Sequence, residues 1–544
     1  MSCVVCSGPT SLRCSGCRSV FYCSRDHQKL HWSTHKGECK QTYVMSHSER
    51  LGRHLVAARD LEAGELILRE VCLVLGPKAA SGCVCLGCHR PLHPAAPFCP
   101  CPGCGWPLCS AQCRDSPHHT SECSLLEKAA SRIQPASLLH APLSAQVAAY
   151  SFITPLRCLL VKRSSSSRSW DALNDLQSHV DERASTPAYI AYRRNVAKFI
   201  GDVLGLYGDG FDDYTILKMC GILDTNSFEV KWNSPGAGQT KARGLFALTS
   251  MIAHDCRPNT RHTFEPEGDS GVPWSRVSMA VYTTVAVRKG DILTATYTQS
   301  LWPTKRRRAH LQAAKCFCCE CQRCSDPREL ATDFGAMRCL HAAKGGCDGL
   351  MLPTKPLEDD SRWKCTICHK ETPSATIDIL NDRLHNEILE RASKANRKSM
   401  ENGKKSSEVR MDPEVLEEFL TKHHKELHPM NHHIIQVKYA LNQIYGKTPG
   451  FTLKELSNDK LKRKEQLCRQ LLDVANVLEP GLTRFRADLL VDLHATVKEL
   501  KERKVPVKKA SNKSKQGPLE DYSKMLPEAL KVLETENNHG RVQF

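Results

Sequence analysis

Twenty-nine cysteines constrain this 544-residue chain more than any other feature. Many fall in pairs two residues apart, with histidines beside them. The first residues, MSCVVCSG, lack the basic and apolar regions of a signal peptide. No apolar run reads as long enough to span a bilayer. A cytoplasmic and nuclear chain is therefore expected, and disulfides are disfavoured in those compartments. Thiolates and imidazoles at these spacings form tetrahedral zinc sites instead.

The first eight candidate ligands are Cys3, Cys6, Cys14, Cys17, Cys23, His27, His35 and Cys39. Eight ligands make two sites, and a core this small needs metal to fold. A cross-braced pairing is expected. Cys3, Cys6, Cys23 and His27 would hold one ion; Cys14, Cys17, His35 and Cys39 would hold the other. Ser24–His35 reads as a helix, with His31 as a packing residue. The pattern then repeats as Cys85, Cys88, Cys101, Cys104, Cys109, Cys113, His119 and Cys123. Cys83 and Cys99 have no evident role. FCCECQRC supplies Cys319, Cys321 and Cys324, three ligands that need a fourth, and Cys256 is the natural candidate. Cys339, Cys347, Cys365 and Cys368 suit a zinc ribbon. If every site fills, six zinc ions bind.

Between and after the fingers the pattern changes. Arg53–Ala58 and Glu65–Val71 read as a strand pair around the turn DLEAGE. Arg276–Val287 and Ile292–Thr298 read as two more strands. Trp170–Val180 and Ile190–Leu204 have helical spacing, with a loop at 162–169. Beyond Asp378, Val415–His428, Asn431–Tyr445, Asp459–Leu478 and Thr483–Glu502 carry apolar stripes joined by short Pro/Gly loops. Residues 396–410 and 504–517 read as Lys/Ser/Asn-rich linkers, the second with a nuclear-localisation-like patch. The net charge is +17, with the excess spread over such linkers and helix faces. Direct nucleic-acid binding is therefore disfavoured, and a monomer is expected.

YCSRDHQKLHWSTHKGEC resembles a MYND zinc finger, with His27 where a cysteine is usual. GR at 52, an inserted finger, TNSFEV, AHDCRPN, GDILTATY and FCCECQRC together resemble the SET-and-MYND (SMYD) lysine methyltransferase family. The extra leading finger is most like its arthropod-specific subgroup. The resemblance implies an α+β fold: a SET β-domain interrupted by a zinc finger, a leading MYND finger and an all-α TPR-like C-terminal domain. The expected divisions are a finger at 1–40, SET at 43–82, a second finger at 83–124 and a helical insertion at 125–240. The SET core at 241–314 and the post-SET zinc site at 315–326 follow. A ribbon at 336–371, TPR-like helices at 375–503 and a basic tail at 504–544 complete the chain.

It further implies methyl transfer from S-adenosylmethionine to a lysine of a histone or other protein, in transcriptional regulation. Tyr297 takes the catalytic position. Gly52, Arg53, Asn226, Ser227, Phe228, Ser250, His254 and Phe317 take cofactor positions. Proline-containing peptides of co-regulators, co-repressors among them, are the implied MYND partners. Four departures bear on activity: His54 replaces a glycine, Ala253 an asparagine, Asp255 a serine and Lys315 a frequent tyrosine. A catalytically weak or inactive zinc scaffold is the alternative.

Overall fold

The computed structural model describes all residues except 1–2, 11, 13, 15–19, 79, 165–166, 235–237, 267–275, 342–345, 402–411, 507–518 and 538–544. Cys17 therefore lies outside the described residues. The expected first-finger helix is present as Arg25–Lys40. His31 packs as expected, its Nδ1 3.0 Å from the Tyr22 hydroxyl.

The strands around DLEAGE do not pair with each other. Gly52–Ala57 pairs antiparallel with Tyr43–Ser48, while Leu66–Val71 joins Val277–Thr283 and then Thr260–Pro266. Tyr43–Ser48 leaves no signal in the sequence because none of its residues is fully buried, so YVMSHS shows no apolar face. The two separated strands still share one core, through Leu55, Ala57, Ile67 and Leu68. A further sheet runs Val74–Gly76, Gly238–Leu245, Phe228–Ser234. The expected strand Ile292–Thr298 shrinks to Thr294–Ala295, which pairs parallel with Ala253–His254. Its shortness has a cause: the Asn259 amide takes the carbonyl of Ile292 and the N–H of Thr294, both at 2.8 Å.

The insertion is helical, with corrections. Ser167–Asn174 stops short, and the chain resumes helix only at Val180–Arg183. The break is used. The helix Asp213–Asn226 crosses it at Gly221, where a Cβ would lie 2.3 Å from the Ser178 carbonyl oxygen. The expected loop at 162–169 is mostly helix, since Ile153–Ser164 and Ser167–Asn174 flank residues 165–166. Pro187–Tyr192 continues into π-helical Arg193–Ala197 and Phe199–Val203. Leu143–Arg163, of mean hydropathy 1.2 over its window, is long and apolar enough to cross a membrane. This departs from the expectation that no apolar run is long enough to span a bilayer. Its window is 67% buried, and it serves here as core.

A buried arginine helps dock the second finger onto this core, alongside bonds from the Tyr150 hydroxyl to the Val84 carbonyl and from Cys83 N–H to Gln146. Arg157 spends all five of its N–H donors: on the Glu122 carboxylate (2.8 and 2.6 Å), the Leu75 and Leu86 carbonyls, and His89 Nε2. Burial, and then Arg157, push the His89 pKa well below its usual range, so the ring is neutral and can accept.

The ribbon is a four-stranded sheet, Met337–Arg338, Leu350–Pro353, Trp363–Cys365 and Glu371–Thr372. The C-terminal helices are Ser374–Glu401, Pro413–His423, His432–Ile444, Asn458–Leu478, Arg484–Glu502 and Leu519–Asn537. Asp412, Asn431, Ser457 and Thr483 cap the middle four by accepting backbone N–H bonds. The first helix runs on into the expected 396–410 linker. The last occupies the expected tail, where Ala529, Val532 and Leu533 are buried against the preceding pair. The helical domain meets the SET core through contacts that include Arg257 Nε donating to the Val477 carbonyl (2.9 Å), Leu482 N–H to that of Thr284 (2.8 Å) and Arg261 to the Thr535 hydroxyl (3.0 Å).

Candidate active site and metal centres

Among the described residues, donor atoms converge in sets of four that include Cys3/Cys6/Cys23/His27, Cys85/Cys88/Cys109/Cys113, Cys101/Cys104/His119/Cys123, Cys256/Cys319/Cys321/Cys324 and Cys339/Cys347/Cys365/Cys368, each within 4.8 Å of its fellows. A tetrahedral zinc with bonds of about 2.3 Å spaces its sulfurs by about 3.8 Å. The S···S distances observed fit: 3.5 Å for Cys6–Cys23, 3.6 Å for Cys256–Cys324 and 3.7 Å for Cys339–Cys368. Both fingers are cross-braced. In the first, Cys14 and Cys39 are 3.8 Å apart with His35 buried nearby, leaving Cys17 as the expected fourth ligand of that set. Elemental analysis of purified chain should return six zinc per molecule; a value near two would contradict these assignments.

The Cys256 set is tied to charge that sequence reading missed. Arg307 Nε lies 3.2 Å from the Cys256 sulfur and its NH2 3.5 Å from that of Cys324. Its NH1 pairs with buried Glu329 at 2.7 Å, which also takes Arg323 at 3.0 Å. Four thiolates around one zinc carry two net negative charges, and this triad carries one positive charge toward them. Arg307 sits in TKRRRAHL, which reads as a solvated basic face, so no local pattern announces its burial.

The zinc turn positions the pocket. Glu70 accepts the N–H groups of Leu248 (2.9 Å) and Thr249 (2.7 Å), fixing the short helix Thr249–Met251 ahead of it. Ala253–His254 then pairs with Thr294–Ala295, and Cys256 enters the metal set. His254 is held at both nitrogens: Nδ1 accepts the Tyr297 N–H at 3.0 Å, and Nε2 lies 3.3 Å from the Cys256 sulfur. Its ring meets those of Tyr297 (5.1 Å) and Phe317 (5.9 Å). Burial pushes the Tyr297 hydroxyl up to about 12 and the His254 imidazole down to about 4. Both are therefore uncharged at neutral pH. The Tyr297 hydroxyl donates to the Ile252 carbonyl at 2.5 Å.

The other expected cofactor residues form a second group. Ser250 Oγ donates to the carbonyl of Asn226 (3.2 Å) as well as that of Phe246 (2.7 Å). The Asn226 amide donates to the carbonyls of Gln177 and Ile222. Ser227 Oγ accepts from Arg243 Nε at 2.8 Å. Phe228 is set apart, its ring against Phe246 and His262. Gly52 has φ +61 with open space where a Cβ would stand, and Arg53 reaches the Asp175 carbonyl.

The departures resolve unequally. His54 is 5% exposed and turned inward, its Nδ1 3.0 Å from the Gly52 carbonyl, so its bulk stays off the outer face. Asp255 Oδ1 caps the Arg257 N–H at 2.8 Å; burial raises its pKa to about 6. Ala253 offers only backbone. Lys315 reaches across the group: its Nζ donates to the carbonyls of Thr225 (2.5 Å) and Asp224 (3.3 Å) and lies 5.8 Å from the Tyr297 ring centroid.

Fold and metal sites define a SET-domain protein with a MYND-type zinc module and a second cross-braced one. The MYND finger family matches residues 3–39, and the SET domain family residues 52–298. SET domain-containing protein SmydA-8 isoform A of Drosophila melanogaster is 31% identical over 367 residues, covering 66% of this chain and 72% of that one. Isoform B is 30% identical over 62% of this chain and 69% of its own length. A crystal structure of the SET domain of LSMT bound to lysine and AdoHcy aligns with 94% of this chain and 88% of that one, at 11% identity and a TM-score of 0.29. The chain belongs to the SMYD family of SET-type lysine methyltransferases, in its SmydA subgroup.

Proposed function

We propose that this chain is an S-adenosylmethionine-dependent protein-lysine N-methyltransferase acting on a histone or other protein lysine, in transcriptional regulation in nucleus and cytoplasm. One observation carries the reading: the zinc turn locks His254, Tyr297 and Phe317 into one uncharged, half-buried cluster. The pocket suits the donor in part. An aromatic wall, the Ser250 and Asn226 carbonyl region and the open backbone at Gly52 support it, while Ala253 lacks a polar group. When bound, S-adenosylmethionine supplies a methyl group on a cationic sulfur.

The remaining work falls to the chain. A free lysine has a pKa of about 10.4 and must shed its proton before it can attack. Desolvation beside Tyr297, His254 and Phe317 favours the neutral amine. The Tyr297 hydroxyl stays protonated, and its hydrogen is fixed on the Ile252 carbonyl. The oxygen's lone pairs are thereby oriented before any ligand arrives. Incubating zinc-loaded protein with methyl-labelled donor and nuclear and cytosolic extract should label protein lysines. Tyr297→Phe should cut that labelling by about a hundredfold or more; equal labelling by the variant would refute the role given to Tyr297.

The scaffold alternative draws on Ala253 and Lys315. In either case the two finger modules offer surfaces for proline-containing peptides of co-regulators.

A further inference from the structure

Lys315 ends the helix Thr304–Lys315 and points its ammonium between two parts of the site. On one side are the last carbonyls of the helix Asp213–Asn226, at Asp224 and Thr225. On the other is the face of Tyr297. Asn226 and Ser227 follow those carbonyls directly. The ammonium therefore stands between the tyrosine and the segment assigned to the cofactor.

Its charge is not cancelled locally. The nearest carboxylate, Asp224, is engaged by the Arg243 guanidinium at 2.5 Å and by the Tyr192 hydroxyl at 3.4 Å. Among the described residues Lys315 has no ion pair, only the two backbone carbonyls. Arg183 closes the opposite side, donating to the Ala314 carbonyl at 2.8 Å and to Thr225 Oγ1 at 3.4 Å. Arg183, Arg243 and Lys315 thus converge on residues 224–225, and only Arg243 pairs with the Asp224 carboxylate. On the same helix, burial and then Lys315 and Arg306 lower the His310 pKa. In such a half-buried place a positive charge acts on an incoming ligand with little screening.

We propose that Lys315 is a resident cation of the methyl-transfer pocket, which disfavours a cationic sulfur ligand and favours its neutral counterpart. The inference rests on the methyl-donor reading above and adds a selectivity to it. S-adenosylmethionine carries the positive sulfur; S-adenosylhomocysteine, left after transfer, does not. The pocket would hold its product more tightly than its donor, and turnover would depend on removing that product or the Lys315 charge. Burial, and then Arg243, lower the Lys315 pKa to about 8, so the charge is present below that pH and lost above it.

The test is calorimetric titration of zinc-loaded full-length protein with each of the two ligands, at pH about 6.5 and about 9.5, either side of the Lys315 value of about 8. Both ligands share amino and carboxylate groups, so their own titration largely cancels in the affinity ratio. At the lower pH, Lys315→Met should shift that ratio toward S-adenosylmethionine by at least about tenfold relative to wild type. The wild-type ratio should approach the variant's at the higher pH. Lys315→Arg, which keeps a fixed charge, should retain the wild-type preference at both. If Lys315→Met does not fold, the wild-type pH dependence and the arginine variant decide. Binding of both ligands with the same ratio in wild type and Lys315→Met, or loss of the preference at high pH in Lys315→Arg, would overturn the inference alone. Absence of binding by either ligand to wild type and Lys315→Met would overturn the methyl-donor reading and this inference with it.

Discussion

Replacing Arg157 with leucine should lower folding stability by about 3–5 kcal/mol, or leave the chain unable to fold. The substitution strands a buried carboxylate at Glu122 and removes the donors that Leu75, Leu86 and His89 rely on. The side chains of Arg157 and Glu122 are 4% and 0% exposed, so water cannot take over. The links span a helix of the insertion, the second finger and a strand beside the SET core. The loss should therefore undock the finger as well as soften the core. Urea unfolding followed by tryptophan fluorescence reads this out, since Trp106 is buried against Tyr150 and Phe152 in the same core. The double variant Arg157→Leu with Glu122→Leu should recover much of the loss, because no charge is then left buried alone. A single variant as stable as wild type would show that the hub does not hold the finger in place.

Cys256→Ala should produce the second large effect. It removes one of four ligands from a set whose other three come from Cys319, Cys321 and Cys324. Structural zinc in small modules contributes about 10–16 kcal/mol of apparent binding energy at neutral pH, so one missing ligand matters. The variant should lose one zinc per molecule by elemental analysis and melt at a lower temperature. The same residue anchors His254 Nε2, which in turn holds the Tyr297 N–H through Nδ1. Ligand binding at the pocket should thus fail together with the metal. Retention of all the zinc would remove Cys256 from the set. Loss of the ion with unchanged pocket binding would uncouple the two functions given to this turn.

The metal ligands were legible in the sequence because a zinc site writes its spacing into short segments. Cys85 and Cys88, or Cys365 and Cys368, meet one ion with two residues between them. The fourth ligand at Cys256 could be found by counting. The capped helices after Asp412 were legible for a similar reason, since Asp412, Asn431, Ser457 and Thr483 are local start signals. What failed was long-range. Tyr43–Ser48 has no buried face of its own and becomes a strand only through its partner Gly52–Ala57. The break after Asn174 exists because Gly221, nearly fifty residues on, needs the room. Arg157 and Arg307 look like ordinary basic residues, and each owes its role to carboxylates, thiolates or carbonyls distant in the chain; Lys315 stands out in the sequence only as a departure from the family pattern, and its contacts with the Asp224 and Thr225 carbonyls come from the fold. The helix Leu519–Asn537 was hidden by the Lys-rich segment before it, though LPEALKVL carries a helical apolar stripe.

The central claim is that the pocket built by His254, Tyr297 and Phe317 on the Cys256 turn holds a methyl donor. Titrating purified, zinc-loaded protein with S-adenosylmethionine in a calorimeter tests it most directly. Saturable binding of one ligand per chain, lost in Cys256→Ala, is the predicted result. No detectable heat at millimolar ligand, from protein that retains its zinc and its cooperative melting, would contradict it.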